Sequence, residues 1–331
     1  MDQKKESASA SLEEIGDLMK FFSLLALLKV SADISEKISE MGEKKTIEVK
    51  PYEMKSSDMK TGDYIITSEK IGEGGYGKVF KAYKVGGSKV FVAKEQQITK
   101  WAESEIVSMK FLANEPFVVG LIDVVYEEEK VFTIMEYCNQ GSLRDILLKK
   151  KSIPEKDAVQ IIDQLARLFY HIKAEKNIEI IHRDLKPENL LFHDGRLKIG
   201  DWGLSKLHHG FNKGLSTSKA LNEYYSYCGT RNYVSPEIEH SMPYNSKTDV
   251  YSAGIILAEC VGIKNLGYPL DDPLFEKLSP HTQHLLKKML ALDPFERFSW
   301  EDVCKCSENI NFFDLGIMKT MMMKSTKFSF L

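Results

Sequence analysis

The hydrophobic pattern of the chain changes character once, at about Gly141. Upstream, "DYIITSEKIG", "SKVFVAKEQ" and "VVGLIDVVYEEEKVFTIMEY" concentrate β-branched and aromatic residues between Gly, Pro and Asp, which predicts short strands. "KTIEVKPYEM", at 45–54, extends that expectation toward the amino terminus, and "ITKWAESEIVSMKFL" breaks it with one helix. Downstream, amphipathic stretches at 154–174, 247–262 and 280–291 predict helices. Strands followed by helices imply two lobes with a cleft between them. A chain of 331 residues with 43% hydrophobic content is large enough to give each lobe a core.

Composition excludes several classes. With 45 basic against 48 acidic side chains, the chain has no global attraction for nucleic acid, and no nucleic-acid partner is expected. Five scattered cysteines suggest a reducing compartment, cytoplasmic with the nucleus as the alternative. Cys304 and Cys306 lack the second close pair that a zinc site needs, so no metal is assigned to them. The apolar run "LMKFFSLLALLKV" at 18–30 is too short for a bilayer core of about 30 Å and contains Lys20 and Lys29. No transmembrane span is expected, and the acidic residues before the run argue against a secretory signal.

"SLEE" at 11–14 has the form of a capping box, and Leu12, Ile15, Leu18, Phe22 and Leu25 recur at helical spacing. The reading is a helical extension over 11–43, docked on the main domain or used for a partner or self-association. The expected division is a helical extension at 1–45, a main domain at 46–306 and a Met-rich tail at 307–331.

Between two strand-like runs, "IGEGGYGKVFKAY" sets Gly72, Gly74 and Gly77 in G-x-G-x-x-G spacing, where the missing Cβ lets backbone approach phosphate. A dinucleotide loop shares that spacing but should open a helix, whereas "KVFKAY" continues as a strand. Lys94 ends the apolar strand "VFVAK", so its ammonium requires an anionic partner in the cleft.

The ordered series of the glycine loop, Lys94, His182-Arg183-Asp184, Asn189, Asp201-Trp202-Gly203 and Ser235-Pro236-Glu237 resembles the eukaryotic protein kinase family. "DVYSAGIILAE" from Asp249 and Arg297 in "DPFERFS" continue the series, and the likeness covers roughly 64–306. It implies an α+β, two-lobed kinase-like fold, with a β-rich N-lobe to about 136 and a larger helical C-lobe from about 142. It also implies an enzyme that uses ATP and Mg2+ to phosphorylate protein substrates. By the resemblance, Asp184 is the catalytic base, Lys186 steadies the transferring phosphoryl group, and Asn189 and Asp201 are magnesium ligands. Ile71, Gly72, Gly74, Gly77, Val79 and Lys94 contact the nucleotide. Glu136 and Cys138, in a hinge behind Met135, offer backbone groups to adenine. Lys186 and Thr230 resemble the serine/threonine branch.

Some positions depart from the family pattern or leave alternatives. Trp202 stands where Phe is usual, and a buried indole N–H requires a partner. Val92 replaces the usual Ala two residues before Lys94 and narrows the adenine pocket. Glu105 is favoured as the carboxylate for Lys94 over Glu103, because Trp101, Met109 and Leu112 share its helical face. Ser226 is the favoured activation-segment phosphorylation site, with Thr217, Tyr225 and Tyr227 as alternatives and Arg183 as the phosphate's partner. The resemblance makes Glu237 and Arg297 a buried ion pair and Asp249 a brace for the catalytic loop. The competing reading is a kinase-like scaffold that acts through protein interactions.

Overall fold

The computed structural model describes residues 50–74, 77–209, 228–264 and 272–307. The helical extension at 11–43, the four candidate phosphorylation sites and nearly all of the tail lie outside the described residues.

The first lobe is a six-stranded antiparallel sheet in the order β1-β2-β3-β4-β6-β5. Its strands are β1 (Met59–Thr61), β2 (Tyr64–Gly74), β3 (Gly77–Lys84), β4 (Val90–Gln97), β5 (Leu121–Glu127) and β6 (Lys130–Glu136). Alternation turns Tyr64, Ile66, Ala82, Phe91, Ala93, Phe132 and Ile134 into one cluster. β2 shifts register on either side of Lys70 before it reaches Gly72, which opposes Val79, and Gly74, which opposes Gly77. Gly77 has φ +140, and a Cβ there would lie 2.3 Å from the Glu95 carbonyl oxygen, so only glycine fits.

Residues 50–54, the described end of the strand expected in "KTIEVKPYEM", are not in a strand. Pro51 has no N–H for a ladder, and Tyr52 stacks flat on Tyr83, 4.0 Å between ring centroids, with its hydroxyl on Asp58. Aromatic stacking across the sheet face replaces strand pairing in that segment.

Helix α1 (Lys100–Phe111) follows β4 and starts at Thr99, whose side chain accepts from Ala102 N. Its far end is tied to the second lobe. Lys176 donates to the Phe111 carbonyl at 3.2 Å and pairs with Glu115 at 2.7 Å. Ile199 N donates to Phe117 O at 2.7 Å, and Val119 N to Ile199 O at 3.0 Å.

The second lobe packs α2 (Leu143–Lys150), α3 (Glu155–Lys176), α4 (Pro236–Glu239), α5 (Lys247–Cys260), α6 (Pro280–Met289) and α7 (Trp300–Ser307). Ser142 and Asp145 close a reciprocal capping box at the start of α2. Helix α5 is apolar nearly all round and accordingly central, with Val250, Ala253, Ile256, Leu257 and Ala258 fully buried. Phe169 of α3 stacks on Trp300 of α7 at 4.7 Å. Arg297 forks onto both carboxylate oxygens of Glu237, with exposures of 0% and 4% for the two side chains. Two short antiparallel ribbons complete the lobe: β7 (Ile178–Ile181) with β10 (Lys206–His209), and β8 (Leu190–His193) with β9 (Arg196–Ile199).

Candidate active site

Lys94 lies in β4 opposite Val79 of β3 and Thr133 of β6, so sheet register fixes where its stem leaves the strand. Its ammonium reaches both oxygens of Glu105, at 2.6 and 2.9 Å, and Asp201 Oδ1 at 3.1 Å. Burial alone would favour the neutral amine, but the two carboxylates outweigh it and raise the lysine pKa. Burial likewise pushes Asp201 upward, and Lys94 overcomes it, holding Asp201 below the usual carboxylate range. Lys94 and Asp201 are therefore both charged at neutral pH, and with Glu105 they bring together strand, helix and the segment after β9.

Glu105 is 1% exposed on α1, while Glu103 points to solvent. Met109 and Leu112 are buried as expected from the helical face, but Trp101 is 60% exposed. It belongs to the first turn, where the described chain provides no wall to cover an indole. Two neighbours of this cluster escaped the sequence reading. Gln96 donates to Glu105 Oε2 at 3.0 Å, and its place two residues after Lys94 in one strand was the available signal. Ser205 donates to Ser108 Oγ at 2.8 Å, a tie across 97 positions that left no local signal.

The loop that carries Asp184 is shaped by Asp249. Its two carboxylate oxygens accept from His182 N at 2.6 Å and Arg183 N at 2.9 Å, and Arg183 takes a positive φ of 67. Complete burial pushes the Asp249 carboxyl up to about 7, against the pull of those two donors and Arg183. Burial also keeps His182 neutral, below its usual value. A neutral ring satisfies both of its contacts when Nε2–H donates to Gly200 O, at 3.1 Å, and Nδ1 accepts from Asp184 N, at 3.3 Å.

Asp184 projects from that loop. Lys186 Nζ donates to its Oδ2 at 2.7 Å and Thr230 Oγ1 to its Oδ1 at 2.7 Å, while Lys186 also reaches Thr230 at 2.9 Å. Asn189 commits its amide nitrogen to Asp184 O at 2.8 Å, which leaves the amide oxygen as its acceptor. Gly200 N donates to Asn189 O at 2.9 Å, joining this group through backbone to the segment that carries Asp201. Trp202 is fully buried, 4.6 Å from the His182 ring, and its indole N–H finds Ile199 O at 3.2 Å.

The remaining candidates line the first lobe and the connection between lobes. Ile71, 41% exposed, precedes Gly72 on β2, and Val79 stands across from Gly72 on β3. Glu136 ends β6, and its carboxylate accepts from Lys198 at 2.9 Å and Gly120 N at 3.2 Å, so its side chain is already engaged and only its backbone is offered to a ligand. The Cys138 thiol is pushed up to about 12 by burial and by Glu136. Met135 pairs with Val92 across β4 and β6.

A family model described as "Protein kinase domain" matches residues 65–307. The chain belongs to the protein kinase family. The serine/threonine-protein kinase cds1 of Schizosaccharomyces pombe is 29% identical over 264 residues, which cover 69% of this chain and 55% of cds1. The serine/threonine-protein kinase atg1 of Dictyostelium discoideum is 31% identical over 272 residues, 73% of this chain and 38% of atg1. Calcium/calmodulin-dependent protein kinase type 1B of Rattus norvegicus is 28% identical over 257 residues, 70% of this chain and 71% of that protein. These relatives set the kinase in the serine/threonine branch, and the match spans only about half of cds1 and less of atg1. Among the described residues, no helix is long and apolar enough to cross a membrane.

The kinase's donor set fits magnesium. A hard cation takes carboxylate and amide oxygens, and it commonly takes only one or two protein ligands when phosphates complete its shell. Asp201, held ionised by Lys94, and Asn189, with its amide oxygen left as acceptor, provide that pair.

Proposed function

We propose that the protein transfers the terminal phosphoryl group of ATP to serine or threonine hydroxyls of protein substrates. The observation that carries this reading is the Lys94 ammonium held by Glu105 and Asp201 at once, because it aligns groups from both sides of the cleft. Lys94 would bind nucleotide phosphate, and Asp201 with Asn189 would hold magnesium, which neutralises charge on the phosphates when bound. Asp184 would orient the acceptor hydroxyl and receive its proton at Oδ. Lys186, already bonded to Asp184 and Thr230, is poised to neutralise charge beside it. Ile71, Val79 and the glycines would cover the nucleotide, and the backbone of Glu136 and Cys138 would bond adenine.

Activation-segment phosphorylation belongs to the same reading, with Ser226 as the first site. Support comes from Gly229, three residues on, whose backbone runs against Arg183: a Cβ there would lie 2.5 Å from Arg183 O. Arg183 is itself fixed by Leu204 O and by the Tyr244 hydroxyl at 2.9 Å. We also assign 1–45 as a helical extension that binds a partner or a second copy, 46–306 as the catalytic domain, and the cytoplasm or nucleus as the site of action.

The test is transfer of labelled phosphate from ATP with magnesium to a generic protein, compared with Asp184→Asn and Lys94→Met chains. Transfer that disappears in both variants is expected. Transfer no greater than theirs, even after phosphorylation by an added kinase, rejects the proposal in favour of a scaffold.

A further inference from the structure

Beside the Asp184 group lies a charged cluster that the proposed chemistry does not use. Arg144, in the first turn of α2, donates through Nε to Glu188 at 2.9 Å. Its Nη1 pairs with Glu259 of α5, and its Nη2 reaches the Tyr233 hydroxyl and, at 3.3 Å, the second oxygen of Glu259. The Tyr233 hydroxyl in turn donates to Glu259 at 2.7 Å. The guanidinium is thus spread over two carboxylates and a phenol, with side-chain exposures of 23% for Arg144, 45% for Glu188 and 32% for Glu259.

The position of the cluster gives it significance. Glu188 follows Lys186 by two residues in a 3-10 turn, and Tyr233 closes a turn back onto Thr230, its N–H on Thr230 O at 2.8 Å. Lys186 and Thr230 each donate to a different oxygen of the Asp184 carboxylate, at 2.7 Å. The carboxylates therefore flank the place where an acceptor hydroxyl would sit, on a surface a substrate peptide must cross. Two partly exposed carboxylates with a phenol between them would suit a guanidinium supplied by a substrate. In this chain the fork is already filled from within.

We infer that Arg144 is a specificity-determining residue: it occupies the Glu188–Glu259 fork and makes the kinase indifferent to arginine next to the acceptor serine or threonine. An incoming cation would have to displace a tethered one with matched bidentate geometry, and so would gain nothing over a neutral side chain. This inference rests on the proposed function for the place of the acceptor, but its first test does not need turnover.

Fluorescent serine peptides of neutral composition, and counterparts carrying one arginine moved through the positions on each side of the serine, are titrated against the full chain at low salt. Wild type is expected to bind all of them within about threefold, whereas Arg144→Ala binds at least one arginine peptide tenfold or more tightly than its neutral counterpart. Adding Glu188→Gln and Glu259→Gln to Arg144→Ala should abolish the gain, and Arg144→Lys, which keeps a cation in the fork, should show less of it. Thermal unfolding checks that each variant is folded. If Arg144→Ala lowers the midpoint severely, Arg144→Gln takes its place in the titration. A wild-type preference for arginine of tenfold or more, or no gained preference in a folded Arg144 variant, overturns the inference. The same peptides then serve as substrates: no transfer to any of them by wild type counts against the proposed function, while the binding result still decides the role of Arg144.

Discussion

At the scale of single residues, the clearest lesson is that Lys94 serves the fold as well as the site. Its ammonium is the partner of a carboxylate that is 1% exposed, and of Asp201 besides. Removing one member of a buried ion pair leaves an uncompensated charge, typically at a cost of about 3–5 kcal/mol. Lys94→Met is therefore expected to lower the unfolding midpoint by roughly 10 °C in a domain of this size. Asp184→Asn, which keeps an oxygen acceptor for Lys186 or Thr230, should shift it far less. Differential scanning calorimetry of both variants checks this, and equal midpoints would show that the Lys94 cluster contributes no net stability. Trp202 shows the opposite economy of means. It is larger than the usual phenylalanine, yet its N–H is satisfied by Ile199 O and its ring rests against His182, so the departure is absorbed within the core.

At the scale of elements, α1 is the part on which the Lys94 cluster depends, since it alone brings Glu105 into the cleft. Its start rests on one side-chain cap, Thr99 to Ala102 N at 3.2 Å. Thr99→Ala is expected to cost about 1 kcal/mol and to lower kcat/KM for phosphoryl transfer several-fold, with Thr99→Ser restoring both. Unchanged kinetics in the alanine variant would separate helix capping from Glu105 placement. The helix itself was legible in the sequence, as were β2 to β6, α3, α5 and α6, because each carries its own periodicity. The inward turn of Glu105 was legible too, through Met109 and Leu112. The outward turn of Trp101 was not, because whether a first turn is covered depends on what other elements reach it. The described end of the strand expected in "KTIEVKPYEM", residues 50–54, is not extended into the sheet for a related reason: Tyr52 has its partner in Tyr83, which local pattern cannot announce. In the candidate site, motif residues could be named one by one, but the Ser108–Ser205 tie and the Arg144 fork join positions 97 and 115 apart. They exist only once the chain has folded.

At the scale of the whole molecule, Asp249 couples folding to pH. An unfolded aspartate titrates near 4, and the folded one is pushed up to about 7. Between those values the folded chain keeps a proton that the unfolded chain has released, so this group's contribution to stability declines as pH rises through the window. His182, held neutral by burial, acts in the other direction below its ordinary value, and it does so with or without Asp249. Comparing unfolding midpoints of wild type and Asp249→Asn from pH 5 to 8 isolates the aspartate. The advantage of wild type over the variant should shrink as pH rises, and an advantage that grows would contradict the raised value. A mechanical consequence follows from the way α1 is fastened. Its carboxyl end is pinned to the second lobe through Lys176 and Phe111, while Lys94 and Gln96 of the sheet grip it at Glu105. At about 1.5 Å per residue, Glu105 lies about 9 Å along the axis from Phe111. The helix is thus a lever with its pivot on one lobe and its load on the other: rocking the sheet swings Glu105 through an arc, and a small rotation at Phe111 is enough to break or make the grip on Lys94.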